Sequence, residues 1–302
     1  MKIRPLLSNA TADLTHDIEA TDERGRLSMI AIPAERPLTV YVDKRELVTL
    51  MTLGGAPEAL ALGYLRNQRL IKSIAEIELV QVDWSVDAVA VKTRNGIADI
   101  EERTSKKVVT TGCGQGSVFG GLMDEVDSIV LSPDGQLKQS VLYKIVDLIR
   151  TQDSIYKQAG SVHGCALFSA TGDLIYFIED VGRHNAVDAI AGKMWLDDIR
   201  GDDKVFYSTG RLTSEMVIKG AQMGIPFLLS RSGTTQMGHM VATKLGMSLL
   251  ARCTGKHFLL LTGKERLLFD LHLLPEYPSG THPQGEAVAR KSLAKATEKS
   301  AG

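Results

Sequence analysis

The sequence predicts an α/β protein, and three observations carry that reading. Strand-like and helix-like segments alternate in the second half of the chain, where 204-KVFYS-208, 213-TSEMVIKGAQMG-224 and 226-PFLLS-230 form a β–α–β run. Polar, glycine-containing loops follow several of these strands, where open α/β sheets place their functional residues. The 302 residues, 44% hydrophobic and 24% charged, suffice for one large domain or two modest ones.

The elements follow in order. Residues 1–27 are polar and mixed and read as a flexible leader. In 37-PLTVYVDKRELVTLM-51 apolar and polar residues alternate on either side of Asp43 and Lys44, which predicts a hairpin. Pro57 opens a helix over 57–71, with Glu58 in its first turn. Strand-like 77-IELVQVDW-84 and 86-VDAVAVKT-93 then lead to a glycine-rich loop, 110-TTGCGQGSVFGG-121. Residues 28–125 are thus expected to form a small β-rich subdomain ending in that loop.

Apolar positions at helical spacing predict a helix over 139–156, and 174-LIYFIED-180 reads as a strand. After the β–α–β run come a helix at 235–245 and strands near 247–252 and 257–262. An α/β domain over 126–274 results. The tail from 275 to 302, rich in Pro, Gly, Lys and small residues, is expected to be flexible.

A net charge of −1 gives no whole-chain field for nucleic acid or an anionic membrane. The first residues lack the apolar stretch of a secretory signal, and no apolar run reaches the roughly 20 residues of a membrane span. Three widely spaced cysteines, an odd number, fit a reduced cytoplasmic setting in which they are thiols.

Cys113 is the first candidate for chemistry. Its loop is too polar and glycine-rich to pack as core, and a thiol on such a segment can visit two partners. The competing reading is a small buried hydrophobe, the usual fate of a free cysteine. The second candidate is 179-EDVGRHNAVD-188, directly after a strand. Arg183 and His184 there offer donors for a phosphate or a pterin, against the plainer reading of a turn and a helix capped by Asn185. Gly210 and Arg211 in 208-STGRLTSEM-216, and Ser232 and Thr234 in 230-SRSGTTQ-236, sit where a helix N-terminus would hold an anion. Ordinary capping by Thr234 or Thr235 explains the second loop equally well.

The segment Arg252, Cys253, Thr254, Gly255, Lys256 and His257 is either a phosphate site or a charged hairpin turn. His163-Gly164-Cys165 invites comparison with the H-x-E zinc deaminases, but Cys165 replaces the glutamate and the chain has no C-x-x-C. No zinc site is therefore expected, and His163 reads as structural or pocket-lining.

Taken together, 36-RPLTVYV-42, 59-ALALGYL-65, Cys113-Gly114, 178-IEDVGRHNAVD-188 and 208-STGRLTSEMVIKGAQMGIP-226 resemble the formate dehydrogenase accessory sulfurtransferases, the FdhD family. The resemblance implies a cytidine deaminase-like α/β domain beside a smaller N-terminal subdomain, in a homodimer. It implies that Cys113 takes persulfide sulfur from a cysteine desulfurase. The sulfur then passes to the bis-molybdopterin guanine dinucleotide cofactor, with Mo or W, of formate dehydrogenase. It matches Arg252 to His257 to the family's guanine dinucleotide contact stretch, although the residues differ from the common pattern there.

The chain departs from many members at Gly116, where they carry a second cysteine, and at 232-SGTT-235, where they have S-A-P-T. The missing dithiol keeps a rival reading in play, a chaperone that binds the molybdenum cofactor without moving sulfur.

Overall fold

In the computed structural model, residues 4–97 and 126–271 are described. Cys113, with its loop, and the tail from 275 lie outside them, as do Glu125 and Leu274, at which the expected domain boundaries fall.

Asp43 and Lys44 take φ of 48° and 74°. Two consecutive left-handed residues make the tight turn whose twist matches that of the flanking strands. They join β4 (Arg36–Val42) to β5 (Arg45–Thr52) as an antiparallel hairpin. With β1 (Leu6–Leu7), β6 (Ile77–Asp83) and β7 (Ala88–Thr93) they form a five-stranded sheet, order β1-β6-β7-β4-β5. Leu38, Val40, Val42, Val80, Val89 and Val91 point from it to one side, as period-two patterning requires. That side is covered by α1 (Pro57–Asn67), which starts at a proline and is buried almost all round.

The stretch expected to be a flexible leader carries β1 and β2 (Thr15–Thr21), and β2 pairs in full with β3 (Leu27–Pro33). The Asp22 carboxylate stabilises the intervening turn by accepting from the backbone of Arg24 and Arg26 at 2.8 and 2.9 Å. Both strands lie mostly exposed, and β2 has only Ile18 and Ala20 as apolar residues, which hid the hairpin within a polar stretch.

After the short strand β8 (Leu137–Lys138), the second sheet has six strands in the order β10-β9-β11-β12-β13-β14. They are β9 (His163–Phe168), β10 (Leu174–Asp180), β11 (Val205–Ser208), β12 (Phe227–Ser230), β13 (Ser248–Thr254) and β14 (His257–Thr262). β11, β12 and β13 run parallel, and β9 and β14 run against their neighbours. The helix expected over 139–156 divides into α2 (Gln139–Thr151) and the short α3 (Ile155–Ala159). Ser154 breaks it: its side chain caps α3 by accepting from Lys157 N, and Glu179 accepts from Ile155 N and Tyr156 N. One face of the sheet packs on α2, through Leu142, Ile145, Phe168 and Phe227. The other packs on α4 (Arg183–Leu196), α5 (Ser214–Gln222) and α6 (Gln236–Lys244).

Helices α1 and α4 meet backbone to backbone. A Cβ on Gly63 would stand 1.6 Å from Asp188 O, and one on Gly192 1.9 Å from Ala59 O. Only glycine permits so close a crossing. The two sheets and their helices belong to one compact unit, which extends to Phe269.

Candidate functional site at one edge of the six-stranded sheet

Because β9 opposes both its neighbours, β10, β11, β12 and β13 all run the same way and end on one edge. The start of β9 lies on that edge too. It gathers His163, Asp180 to Arg183, Ser208 to Arg211, Ser230 to Thr234 and the β13–β14 turn. Ligands of open α/β sheets bind outside such strand ends, where neighbouring connections diverge. Helices α4, α5 and α6 begin there, so the positive ends of their dipoles face the crevice. Neither Gly182 before α4 nor Thr213 before α5 makes a side-chain cap.

The loops are tied to one another. Arg231 N donates to Ser208 O at 3.0 Å, and Ser230 Oγ to Gly210 O at 2.7 Å. Leu212 N reaches Gly233 O at 2.9 Å, and Arg252 N reaches Ser232 O at 2.7 Å. Thr235 caps α6 by accepting from Gly238 N, whereas Thr234 donates to Leu212 O at 2.7 Å. Of the two residues expected as caps, Thr235 has that role and Thr234 clasps the neighbouring loop.

Gly210 faces Arg183 and His163: a Cβ there would stand 2.9 Å from Arg183 Cδ and 3.5 Å from His163 Nδ1. Burial, then the positive charges of Arg183 and Arg211, push the half-buried His163 below the ordinary histidine range. The crevice is therefore electropositive. Arg211, Arg231 and Arg252 are exposed around it, while Arg183 is buried in its floor. Arg252 is held at φ 55° and Gly255 at the same value, which shapes the β13–β14 turn. Thr254, Gly255, Lys256 and His257 form its exposed tip, positioned by the Thr254–His257 pairing.

Asn185 does not cap α4, because Gly182 occupies that position. Its side-chain amide instead donates to Asp180 Oδ1 at 2.8 Å and to Met51 O at 2.6 Å. Asp180 also accepts from Thr52 Oγ1, from Leu53 N at 3.2 Å and from Gly182 N at 3.1 Å. Burial lifts its carboxyl above the usual range, and these donors pull it part of the way back. One carboxylate thus links the end of β5 to the start of α4.

His184 lies beneath the floor, 2% exposed, with Nδ1 3.4 Å from Glu215 Oε1. It stays neutral: burial, then the charges of Lys219 and Arg183, lower it to about 2. Behind it Lys219, 1% exposed, donates to Asp188 Oδ2 at 2.8 Å and lies 3.6 Å from Glu215. Asn67 of α1 supplies a second donor to Asp188 at 2.7 Å. Burial opposes the Lys219 charge, but the two carboxylates outweigh it and raise the group above its usual range. Sequence reasoning singled out neither Lys219 nor Asp188. The signal was a lysine and a glutamate four residues apart on a helix face otherwise built of Met216, Val217 and Gly220.

The two cysteines inside the described residues are inert. Cys165 is fully buried, donates weakly to Ser208 Oγ at 3.5 Å, and is pushed up to about 12 by burial. Cys253, 1% exposed, is likewise pushed up to about 12. Among the described residues no three His, Cys, Asp or Glu side chains converge as metal ligands would, and no helix is long and apolar enough to cross a membrane.

Fold and site together define an α/β protein with a preformed, positively charged crevice at its strand ends. The chain belongs to the FdhD/NarQ family, whose sequence profile matches residues 33–268. It is 30% identical over 242 residues to the sulfur carrier protein FdhD of Saccharolobus solfataricus, covering 78% of this chain and 90% of that one. It is 26% identical over 239 residues to the protein of the same name from Listeria monocytogenes, covering 78% and 91%. A crystal structure assigned to a formate dehydrogenase accessory protein from Desulfotalea psychrophila superposes with a TM-score of 0.70 at 24% identity. That match covers 84% of this chain and 98% of the other, and shows that the two share a fold.

Proposed function

We propose that this chain is a sulfur carrier for formate dehydrogenase maturation, working through a persulfide on Cys113. The observation that supports it is one of elimination. The chain has three cysteines, and Cys165 and Cys253 are buried thiols held far from ionisation, which leaves Cys113 to react. The relatives named sulfur carrier protein point the same way.

In the loading step the Cys113 thiolate attacks the outer sulfur of a cysteine desulfurase persulfide. A new S–S bond forms on Cys113, the desulfurase S–S bond breaks, and its cysteine leaves as the thiolate. No net oxidation occurs, and no second cysteine is needed, which suits a chain with Gly116 in the second position. The acceptor is the bis-molybdopterin guanine dinucleotide cofactor, carried as substrate. Its phosphates suit the helix starts after Gly182 and Thr213, with Arg183 and Arg211 beside them. The α/β domain is read as cytidine deaminase-like and the working form as a cytoplasmic homodimer.

Incubation with a cysteine desulfurase and cysteine is expected to add about 32 Da, one sulfur atom, to the peptide holding Cys113. Cys113→Ala should abolish both the adduct and formate dehydrogenase maturation. A Cys113→Ala protein that still matures the enzyme would refute the carrier reading in favour of a cofactor chaperone working from the crevice alone.

A further inference from the structure

Two surfaces at opposite ends of the six-stranded sheet complement each other. The first is the β2–β3 ribbon. Residues directly opposite in an antiparallel pair share a face, so Asp17, Glu19 and Thr21 of β2 lie on one face with Ala31, Met29 and Leu27 of β3. Leu27 is 64% and Met29 65% exposed, and Asp17 and Glu19 are exposed beside them. That face is an acidic row laid against an apolar one. On the other face Ile18, Ala20 and Ile32 are half-buried, and β3 packs on α3.

The second surface belongs to α6 and β14. Phe258 and Leu260 pack on the α2 side of the sheet, so Leu259 between them points to the side where α6 packs on β14. Met237 and Met240, three residues apart, share one face of α6. Leu259, Met237 and Met240 are all exposed, Met240 by 55%. Methionine side chains mould readily to a partner. Arg252 and Lys256 stand exposed in the adjoining β13–β14 turn and give this apolar patch a cationic border.

One chain does not join its own two surfaces. Glu179 of β10 accepts from Ile155 N and Tyr156 N, which fixes α3, and the ribbon packed on it, beside the β10 edge. Strand β14 is the far end of the sheet, five strand spacings or about 24 Å away.

We infer that the β2–β3 ribbon of one copy seats on the α6–β14 patch of a second copy, and the reverse, in a two-fold dimer. Leu27 and Met29 lie against Met237, Met240 and Leu259, and Asp17 and Glu19 against Arg252 and Lys256. Carboxylates meet cations and apolar rows meet apolar rows. Reciprocal seating closes the pair, whereas a one-way contact would leave a ribbon and a patch to run on into a filament. The β13–β14 turn and the start of α6 border the crevice, so each ribbon comes to lie at the crevice rim of the other copy. The inference rests on the homodimer reading above and is independent of Cys113.

Sedimentation velocity over a concentration series measures the dimer dissociation constant, and a thermal scan checks the fold, since every side chain to be replaced is exposed. Glu19→Lys, Met29→Lys and Lys256→Glu should each raise that constant about tenfold or more with little change in Tm. Combining Glu19→Lys with Lys256→Glu reverses the charge pair and should return the constant to within about threefold of the parent. A dimer unchanged by the three single variants, or no recovery in the double one, would overturn these surfaces and leave the homodimer standing. A parent that stays monomeric throughout the series would overturn both.

Discussion

Replacing Gly192 with alanine tests the crossing on which the two halves of the fold depend. The new methyl carbon would fall 1.9 Å from Ala59 O, against about 3.4 Å for an ordinary contact, so α1 and α4 must part by roughly 1.5 Å. Nothing flexible stands in the way to yield, because the obstructing atoms are the carbonyl and Cα of Ala59. Alanine gains about 0.5–1 kcal/mol over glycine in a helix interior. Forcing an extra group into a packed core costs about 1–3 kcal/mol, and a backbone obstacle places this site at the upper end or beyond. A net loss of about 2 kcal/mol follows, which for a domain of this size lowers Tm by about 4–8 °C. Calorimetry or a thermal circular dichroism scan measures it. A Tm equal to or above that of the parent would refute the reasoning, because helix propensity would then outweigh the clash. Gly63→Ala meets Asp188 O at 1.6 Å and should behave alike. The double variant should cost less than the two singles together, since one separation relieves both contacts.

Two further predictions concern the buried groups. His184 is held near 2 in the folded protein and titrates near 6.5 when unfolded, so its contribution is complete above pH 6.5 and lost as the pH falls. Unfolding by urea should show a loss of about 1.4 kcal/mol per pH unit below that point, and His184→Gln should remove about one proton from the slope. His163 is depressed in the same direction and leaves a residual slope. Lys219→Met strands the buried Asp188 without its cation and should cost about 3–5 kcal/mol in denaturant midpoint analysis. Adding Asp188→Asn to it should recover part of that loss; no recovery would mean that the lysine acts by packing alone. On the proposed placement of the guanine dinucleotide in the crevice, Gly210→Ala should push Arg183 aside and weaken guanine nucleotide binding in a calorimetric titration, with little change in Tm.

Much of this was legible in the residues. Residue patterning located α1, β4 to β7, β10 to β14, α5 and α6, whereas α4, buried on nearly every side, was read only as the plainer alternative to a functional turn. The loops after β10, β11 and β12 were singled out by their glycines and arginines, and the fold brings all three to one edge. What stayed hidden was whatever depends on partners distant in sequence. Asn185 looked like a cap because its link to Met51, 134 residues away, leaves no local trace. Lys219 gave no sign of its pairing with Asp188, 31 residues away in the sequence. β2 is mostly polar and buries little, so its composition resembled a flexible leader although its partner β3 is apolar. The glycine crossing of α1 and α4 gave no local signal, since either residue alone only weakens a helix.

Asp180 turns the two halves of the molecule into a single lever. The carboxylate that holds Gly182 and Asn185 at the crevice also holds Thr52 and Leu53 at the end of β5. A ligand in the crevice that displaced the start of α4 would, through Asp180, also bear on β5. Linkage makes the exchange symmetrical: a partner that shifts β5 alters the crevice's affinity by the factor with which the crevice's ligand alters the partner's. On the proposed function, a carrier that receives sulfur from one protein and gives it to another would find in such a coupling a means of telling the two apart.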